Sequence, residues 1–195
     1  MGRRPSRRTP VRRAIRAGRV VGSVAVVYGL TVRGALTLDL GIGRRLRPLG
    51  PMMWQIDASR EVVFDVIAAP YLGRTPRALG SKLKVLERGE DMVLAEHFTH
   101  ASRFVTTTVE TVRFERPSAV HFRLLRGPVP HVVEMFELRE TEAGTELGYT
   151  GELGTDLWAL GQWWGEVVAR RWEATVRESL DAVKVEAERR TGRKR

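Results

Sequence analysis

The chain has 195 residues, 43% apolar and 29% charged, and contains no cysteine. This composition excludes fibrous, collagenous and wholly disordered architectures. It also removes disulfide frameworks, thiolate zinc sites, iron–sulfur clusters and cysteine nucleophiles. The net charge of +10 is concentrated at one end. Residues 1–50 carry 12 Arg against the single acid Asp39, whereas residues 51–195 carry 21 basic and 22 acidic residues. Residues 1–50 therefore read as a basic arm, residues 51–190 as one globular domain of ordinary size, and residues 191–195 as a basic tail.

Arg3, Arg4, Arg7, Arg8, Arg12, Arg13, Arg16 and Arg19 stand in a leader with almost no apolar residues. Their mutual repulsion predicts a solvated, disordered segment. Val20–Val32 follows as a mostly apolar run of 13 residues. At about 1.5 Å rise per residue it covers about 20 Å as a helix, against about 30 Å of hydrocarbon core, so it suits lying in a membrane interface better than crossing one. Packing on the body, a cleaved targeting segment and nucleic-acid contact are the competing readings. Ser6-Arg7-Arg8 is similar to a twin-arginine start, but Pro10 and the lack of a small-residue cleavage site depart from it. Leu36, Leu38, Leu40 and Ile42 alternate with Thr37, Asp39 and Gly41, which predicts a short strand. Arg44, Arg45 and Arg47 with Pro48 and Pro51 read as a basic linker.

In the body, Met53–Asp57 reads as a strand, and Ser59 as the N-cap of a short helix through Val62–Ile67 that Pro70 stops. A second short helical piece is expected over residues 71–83, broken by Gly73, Pro76 and Gly80. From Lys84 the apolar period falls to about two. Segments 84–88, 92–100, 103–114, 119–125, 131–140 and 145–153 are strands separated by short turn-forming stretches. Loops this short join antiparallel neighbours, so the six strands form a meander. A long helix then covers about residues 156–188, with Thr155 and Asp156 as capping side chains. At about 100° per residue, Leu157, Gly161, Trp164, Val168, Trp172 and Thr175 fall in a sector of about 80°, so one face is buried. The fold class is α+β, a six- to seven-stranded antiparallel sheet wrapped around the last helix.

Strand alternation then places side chains. Val120, Phe122 and Leu124 share a face, as do Val132, Glu134, Phe136 and Leu138, and Leu147, Tyr149, Gly151 and Leu153. Glu134 and Tyr149 therefore project between sheet and helix. A carboxylate there needs hydrogen bonds or an ion pair, and burial raises its pKa; it could orient a ligand hydroxyl or serve as acid or base. The competing readings are that Glu134 pairs with an arginine or meets water at an open sheet end, and that Tyr149 is a core residue. His97 and His100, three apart on one strand, point to opposite faces and do not clamp a metal, and His121 faces away from the apolar set. No Gly-x-Ser-x-Gly elbow is present. Trp164 and Trp172 suit a cavity wall. Trp163 lies opposite the apolar sector and is exposed, or covered by the arm, a partner or a membrane.

The strand–helix segment Ile56-Asp57-Ala58-Ser59-Arg60-Glu61-Val62-Val63-Phe64, the pair Phe136-Glu137-Leu138 and Gly144-Thr145-Glu146-Leu147, and the Trp-rich final helix together resemble the SRPBCC superfamily over about residues 51–190. That group includes START lipid-transfer domains, pollen-allergen-like proteins and aromatic polyketide cyclases. The resemblance implies a helix-grip fold with a hydrophobic-ligand cavity and says little about chemistry. The expected function is binding or carriage of a hydrophobic small molecule or lipid, without cofactor or metal. The expected lining is Val120, Phe122, Leu124, Glu134, Phe136, Tyr149, Leu157, Gly161, Trp164, Val168 and Trp172. The alternatives are a cyclase/dehydratase-type enzyme acting on a polyketide-like substrate, with Glu134 and Tyr149 as acid–base residues, and a membrane-tethered interaction module. Residues 1–32 are expected to attract an anionic membrane surface, and the expected location is the cytoplasm, peripheral at or anchored to the membrane through that arm. Nucleic acid is not expected as a partner, because the body is near neutral and the arm lacks interleaved aromatics.

Overall fold

The computed structural model describes residues 26–73, 82–101 and 104–192; the Arg-rich leader and most of the turning segment 71–83 lie outside them. Residues 26–32 form helix α1. The remaining elements are β1 (Arg45–Ile56), α2 (Arg60–Leu72), β2 (Leu83–Arg88), β3 (Met92–Ala101), β4 (Phe104–Glu115), β5 (Ala119–Arg126), β6 (His131–Thr141), β7 (Gly144–Thr155) and α3 (Trp158–Gly192). The seven strands form one sheet in the order β1-β7-β6-β5-β4-β3-β2, with every neighbouring pair antiparallel. The expected meander is present as β2 to β7. β1 adds beside the last strand, which the spacing of short loops did not dictate.

The inner face follows the pleat. Val93, Val112, Phe122, Glu134, Gly151 and Leu49 form one cross-strand row, and Phe114, Val120, Phe136, Tyr149 and Met52 the next. Apart from the glycine, all of these side chains are buried. α3 packs chiefly on β1, β7 and α2. Trp54 Nε1 donates to Asp181 Oδ1 at 2.8 Å, and Arg47 binds Glu166 at 3.1 Å and Glu173 at 3.2 Å, so polar bonds pin the helix to β1.

Four local expectations change. β1 begins at Arg45, so the stretch read as a linker is strand, and Leu49 within it belongs to the core. Leu36–Ile42 is not a strand. Its alternation finds no partner strand; the Leu40 and Gly41 amides and the Ile42 carbonyl go instead to the start of α3, and Leu38, Leu40 and Ile42 are exposed. In α2, Ser59 holds the N-cap position without a side-chain capping bond, and Pro70 lies inside the last turn, with the helix ending only at Leu72. α3 starts two residues later than expected and runs on into the basic tail, to Gly192.

The reason for that late start is Asp156. Its carboxylate, only 3% exposed, accepts the amides of Leu40 at 2.7 Å and Gly41 at 2.9 Å and pairs with Arg44 at 2.8 Å. Occupied in this way, it is a bolt across the chain rather than a helix cap. Leu157 and Trp158 take positive φ, and their amides bond the carbonyls of Ile42 and Gly43. Arg44 lowers the Asp156 pKa from 3.8 to about 2, assisted by the two amides. A folded pKa below the unfolded one means the stabilisation is complete above about pH 4 and disappears as pH falls toward 2. Asp156→Ala should therefore cost about 2–3 kcal/mol near neutrality. Urea melts from pH 7 down to pH 2 should show the difference from wild type shrinking across the acid limb, and a constant difference would contradict the assignment.

Candidate functional site

The register puts β6 and β7 side by side so that Glu134 faces Gly151 and Phe136 faces Tyr149. A Cβ on Gly151 would lie 3.1 Å from Glu134 Cγ and 2.7 Å from the Val133 carbonyl oxygen, so a side chain there would crowd the carboxylate. Glu134 is 6% exposed. The Tyr149 hydroxyl donates to Glu134 Oε1 at 2.6 Å, and Trp172 Nε1, reaching down from α3, donates to the same oxygen at 2.7 Å. Among the described residues, none donates to Oε2.

Three elements thus meet on one carboxylate, whose pKa rises from 4.5 to about 7. Burial is the main cause and the charge of Glu110 the second, while the Tyr149 and Trp172 hydrogen bonds pull in the opposite direction. Burial also raises the Tyr149 phenol well above its usual value, so it stays a neutral donor.

A second polar cluster shares the inner face. Glu110 on β4 is buried and accepts the Thr108 hydroxyl at 2.7 Å. His97 on β3 brings Nδ1 to 3.3 Å from Glu110 Oε2 without the alignment of a hydrogen bond, and its Nε2 lies 3.0 Å from the Tyr71 hydroxyl of α2. Burial lifts the Tyr71 pKa, with the charges of Glu110 and Glu134 adding to it. Rings connect the two clusters. Tyr71 to Phe122 is 6.2 Å between centroids, Phe122 to Phe136 is 4.9 Å, and Phe136 to Tyr149 is 5.7 Å. The geometry offers a row of packed rings with a polar group at each end, one of them able to exchange a proton near neutral pH.

Of the residues expected to line the interior, Val120, Phe122, Leu124, Glu134, Phe136, Tyr149 and Val168 are buried, and Trp172 is half-buried with its indole on Glu134. Leu157 is not among them: it is 38% exposed, because its positive-φ turn precedes the helix. Gly161 is buried, but against backbone; a Cβ there would lie 1.6 Å from the Asp156 carbonyl oxygen. Trp164 ties α3 to the β5–β6 connection through Pro128 O at 2.9 Å, and its ring meets Tyr28 of α1 at 5.9 Å.

The expected helix sector is displaced. Gly161, Gly165, Val168, Ala169, Val176, Leu180 and Ala187 are the buried residues, a face turned by roughly 60° from the expected one at about 100° per residue. Hydropathy favours large side chains, whereas a helix pressed on a sheet favours small ones.

Sequence reasoning misses Glu110, Thr108 and Tyr71, and it considers His97 only as a metal ligand. The signal exists in β4, where Thr108, Glu110, Val112 and Phe114 alternate with outward residues. Among the described residues no three His, Asp or Glu side chains converge as metal ligands. A surface groove of about 250 Å³ between β1, β7 and α3 lies near Arg47, Thr155 and Gln162, and Arg47 in it is already paired.

No family model and no curated protein sequence matches the chain. Among solved structures it is similar to the Zhui aromatase/cyclase of Streptomyces sp. R1128, with TM-score 0.60 and 19% identity over 76% of this chain and 96% of that one. It is also similar to the di-domain aromatase/cyclase StfQ from the steffimycin biosynthetic pathway, with TM-score 0.59 and 14% identity over 77% of this chain and 52% of that one. A Thermus thermophilus protein matches with TM-score 0.54 and 15% identity, over 74% of this chain and 94% of that one. These likenesses show the helix-grip fold.

Removing the Glu134 charge isolates its burial cost. A carboxyl with folded pKa above its unfolded value contributes fully below about pH 4.5, and that contribution is lost as pH rises through about 7. Glu134→Gln should match wild type near pH 5 and exceed its stability by on the order of 2 kcal/mol at pH 8–9. Chemical denaturation at the two pH values checks this, and a variant less stable at high pH would oppose it.

Proposed function

We propose that the protein binds a hydrophobic, largely aromatic small molecule or a lipid between the inner sheet face and α3, with Glu134 fixing a hydroxyl or carbonyl group of the ligand. The observation that carries this reading is the convergence of Tyr149 and Trp172 on one oxygen of a buried, protonatable carboxyl, beside a row of rings. An apolar core has no need of such a group, and maintaining it there is costly without polar compensation. The fold supports the reading, because helix-grip neighbours include aromatase/cyclases.

Protonated Glu134 donates to a ligand oxygen, and ionised Glu134 accepts from a ligand hydroxyl. A matched pair of probes, 2-naphthol and naphthalene, separates the polar contribution from the apolar one. Titration followed by quenching of tryptophan fluorescence should show 2-naphthol bound about tenfold more tightly, a preference that Glu134→Leu abolishes while naphthalene affinity changes little. The preference should vary with pH around 7, where Glu134 exchanges its proton. Equal affinities for the two probes in wild type and variant would remove Glu134 from the binding role.

One observation favours a catalytic extension. A carboxyl with a pKa near 7 is suited to general acid–base work at neutral pH, which fits a cyclase or dehydratase acting on a polyketide-like substrate. Incubation with linear poly-β-ketone thioesters, analysed by mass spectrometry for loss of water, tests it. Glu134→Gln should lower turnover about a hundredfold or more while keeping probe binding, and wild-type protein that leaves the thioesters to react at the uncatalysed rate confines the protein to carriage.

A further inference from the structure

α3 carries a second, outward-facing pattern that the interior does not use. Leu160 is 65% exposed and Trp163 63%, and neither is covered by α1, since Tyr28 packs on the neighbouring Trp164 instead. At the same end of the molecule Trp158 is 56% exposed, with its indole over Gly43, and Leu40 and Ile42 stand out beside it.

Over the first 20 residues of the helix the charge on this side is of one sign, and Glu178 and Asp181 enter the same side only beyond that stretch. At about 100° per residue, Leu160, Trp163, Arg170, Arg171 and Arg177 fall within a sector of about 120° that holds no acid from Leu157 to Arg177. The acids of that stretch, Glu166 and Glu173, lie outside the sector, and both are bound by Arg47. Among the described residues, no carboxylate pairs with Arg170, Arg171 or Arg177; Arg170 bonds only the Glu166 carbonyl. The arm joins the described structure at Val26, two residues before the Tyr28 ring that touches Trp164. The eight arginines of the leader are therefore connected to this same end.

We infer that the N-terminal half of α3, with the Leu40–Ile42 loop beside it, is a docking surface for an anionic lipid bilayer. Leu160 and Trp163 enter the interface, and Arg170, Arg171 and Arg177 lie over the headgroups. Exposed tryptophan and leucine beside arginine match the chemistry of a membrane interface, where an apolar layer lies beneath an anionic one. Nucleic acid matches the arginines but gives Leu160 and Ile42 nothing to bury against. A second copy in isologous contact would bring the same arginines face to face. Among the described residues no helix is long and apolar enough to cross a membrane. This inference does not depend on what the interior binds.

The test uses the full chain and vesicles of phosphatidylcholine with or without phosphatidylglycerol. Co-sedimentation should occur only with phosphatidylglycerol and weaken as salt rises. The doubly substituted L160S/W163S chain should partition about tenfold less or weaker still, and R170Q/R171Q about fivefold less for each charge removed. These side chains are exposed, and unchanged circular dichroism should show that the fold is kept. Brominated lipids should quench wild-type tryptophan fluorescence more than that of L160S/W163S. Wild type that ignores anionic vesicles overturns the inference, as does L160S/W163S binding equal to wild type, which would leave the leader as the sole anchor. A dimer that the same substitutions dissociate, or duplex DNA binding that they weaken, in the absence of vesicle binding assigns the surface to those partners and overturns it equally.

Discussion

The Asp156 carboxylate stands where the sheet ends and the long helix begins, and the direction of α3 depends on it. A capping aspartate would spend its oxygens on the first amides of its own helix. Here they go to Leu40, Gly41 and Arg44, more than a hundred residues earlier in the chain. The first helical turn is held by a neighbouring segment instead, through Ile42 and Gly43. Three otherwise independent pieces, the strap before β1, the end of β7 and the start of α3, are joined by one group. With the helix start fixed, Gly161 and Gly165 bring α3 against the Asp156 backbone and the Thr155 side chain, and Trp172, two turns further on, reaches Glu134.

That chain of positions explains how the interior tolerates a carboxyl group. An unpaired ionised carboxylate in an apolar core is too costly to persist, so the group must be neutralised, hydrogen-bonded or both. Glu134 does both, with two donors on one oxygen and a pKa near neutrality. Glu110 makes the balance more delicate, because its charge opposes ionisation of Glu134 across the same interior. The ring row of Tyr71, Phe122, Phe136 and Tyr149 runs between them, the arrangement on which the proposed binding of a flat apolar ligand rests.

The helix α3 works on two sides for related reasons. Its inner side is built mainly from glycine, alanine and valine, with Leu180, and the small residues permit close approach to β1 and β7. Large side chains at the start of the helix are consequently displaced outward, and Leu160 and Trp163 remain in solvent. In the first half of the helix the acids Glu166 and Glu173 lie on the β1 side, where Arg47 binds them, and Arg170 and Arg171 lie on the outer side without a carboxylate partner among the described residues. One packing decision thus separates charge and apolarity on the exposed surface.

Period-two alternation from Lys84 onward and the short loops between its segments were enough to determine the meander, its antiparallel sense and the side of the sheet that Glu134 and Tyr149 occupy, because loop length and parity along a strand are local properties. The sequence also marked the charge asymmetry of the arm and the single long final helix. Partners remote in the chain were decided only in three dimensions. Leu36–Ile42 has the alternation of a strand but no neighbour to pair with, and the apparent linker Arg45–Gly50 is strand because β7 lies beside it. The buried face of α3 escaped hydropathy because glycine and alanine record closeness of approach rather than affinity for oil. That Trp172 donates to Glu134, and that His97, Tyr71 and Glu110 meet, required the sheet to bend around the helix: alternation says which way a side chain points, and only tertiary packing brings another one to meet it.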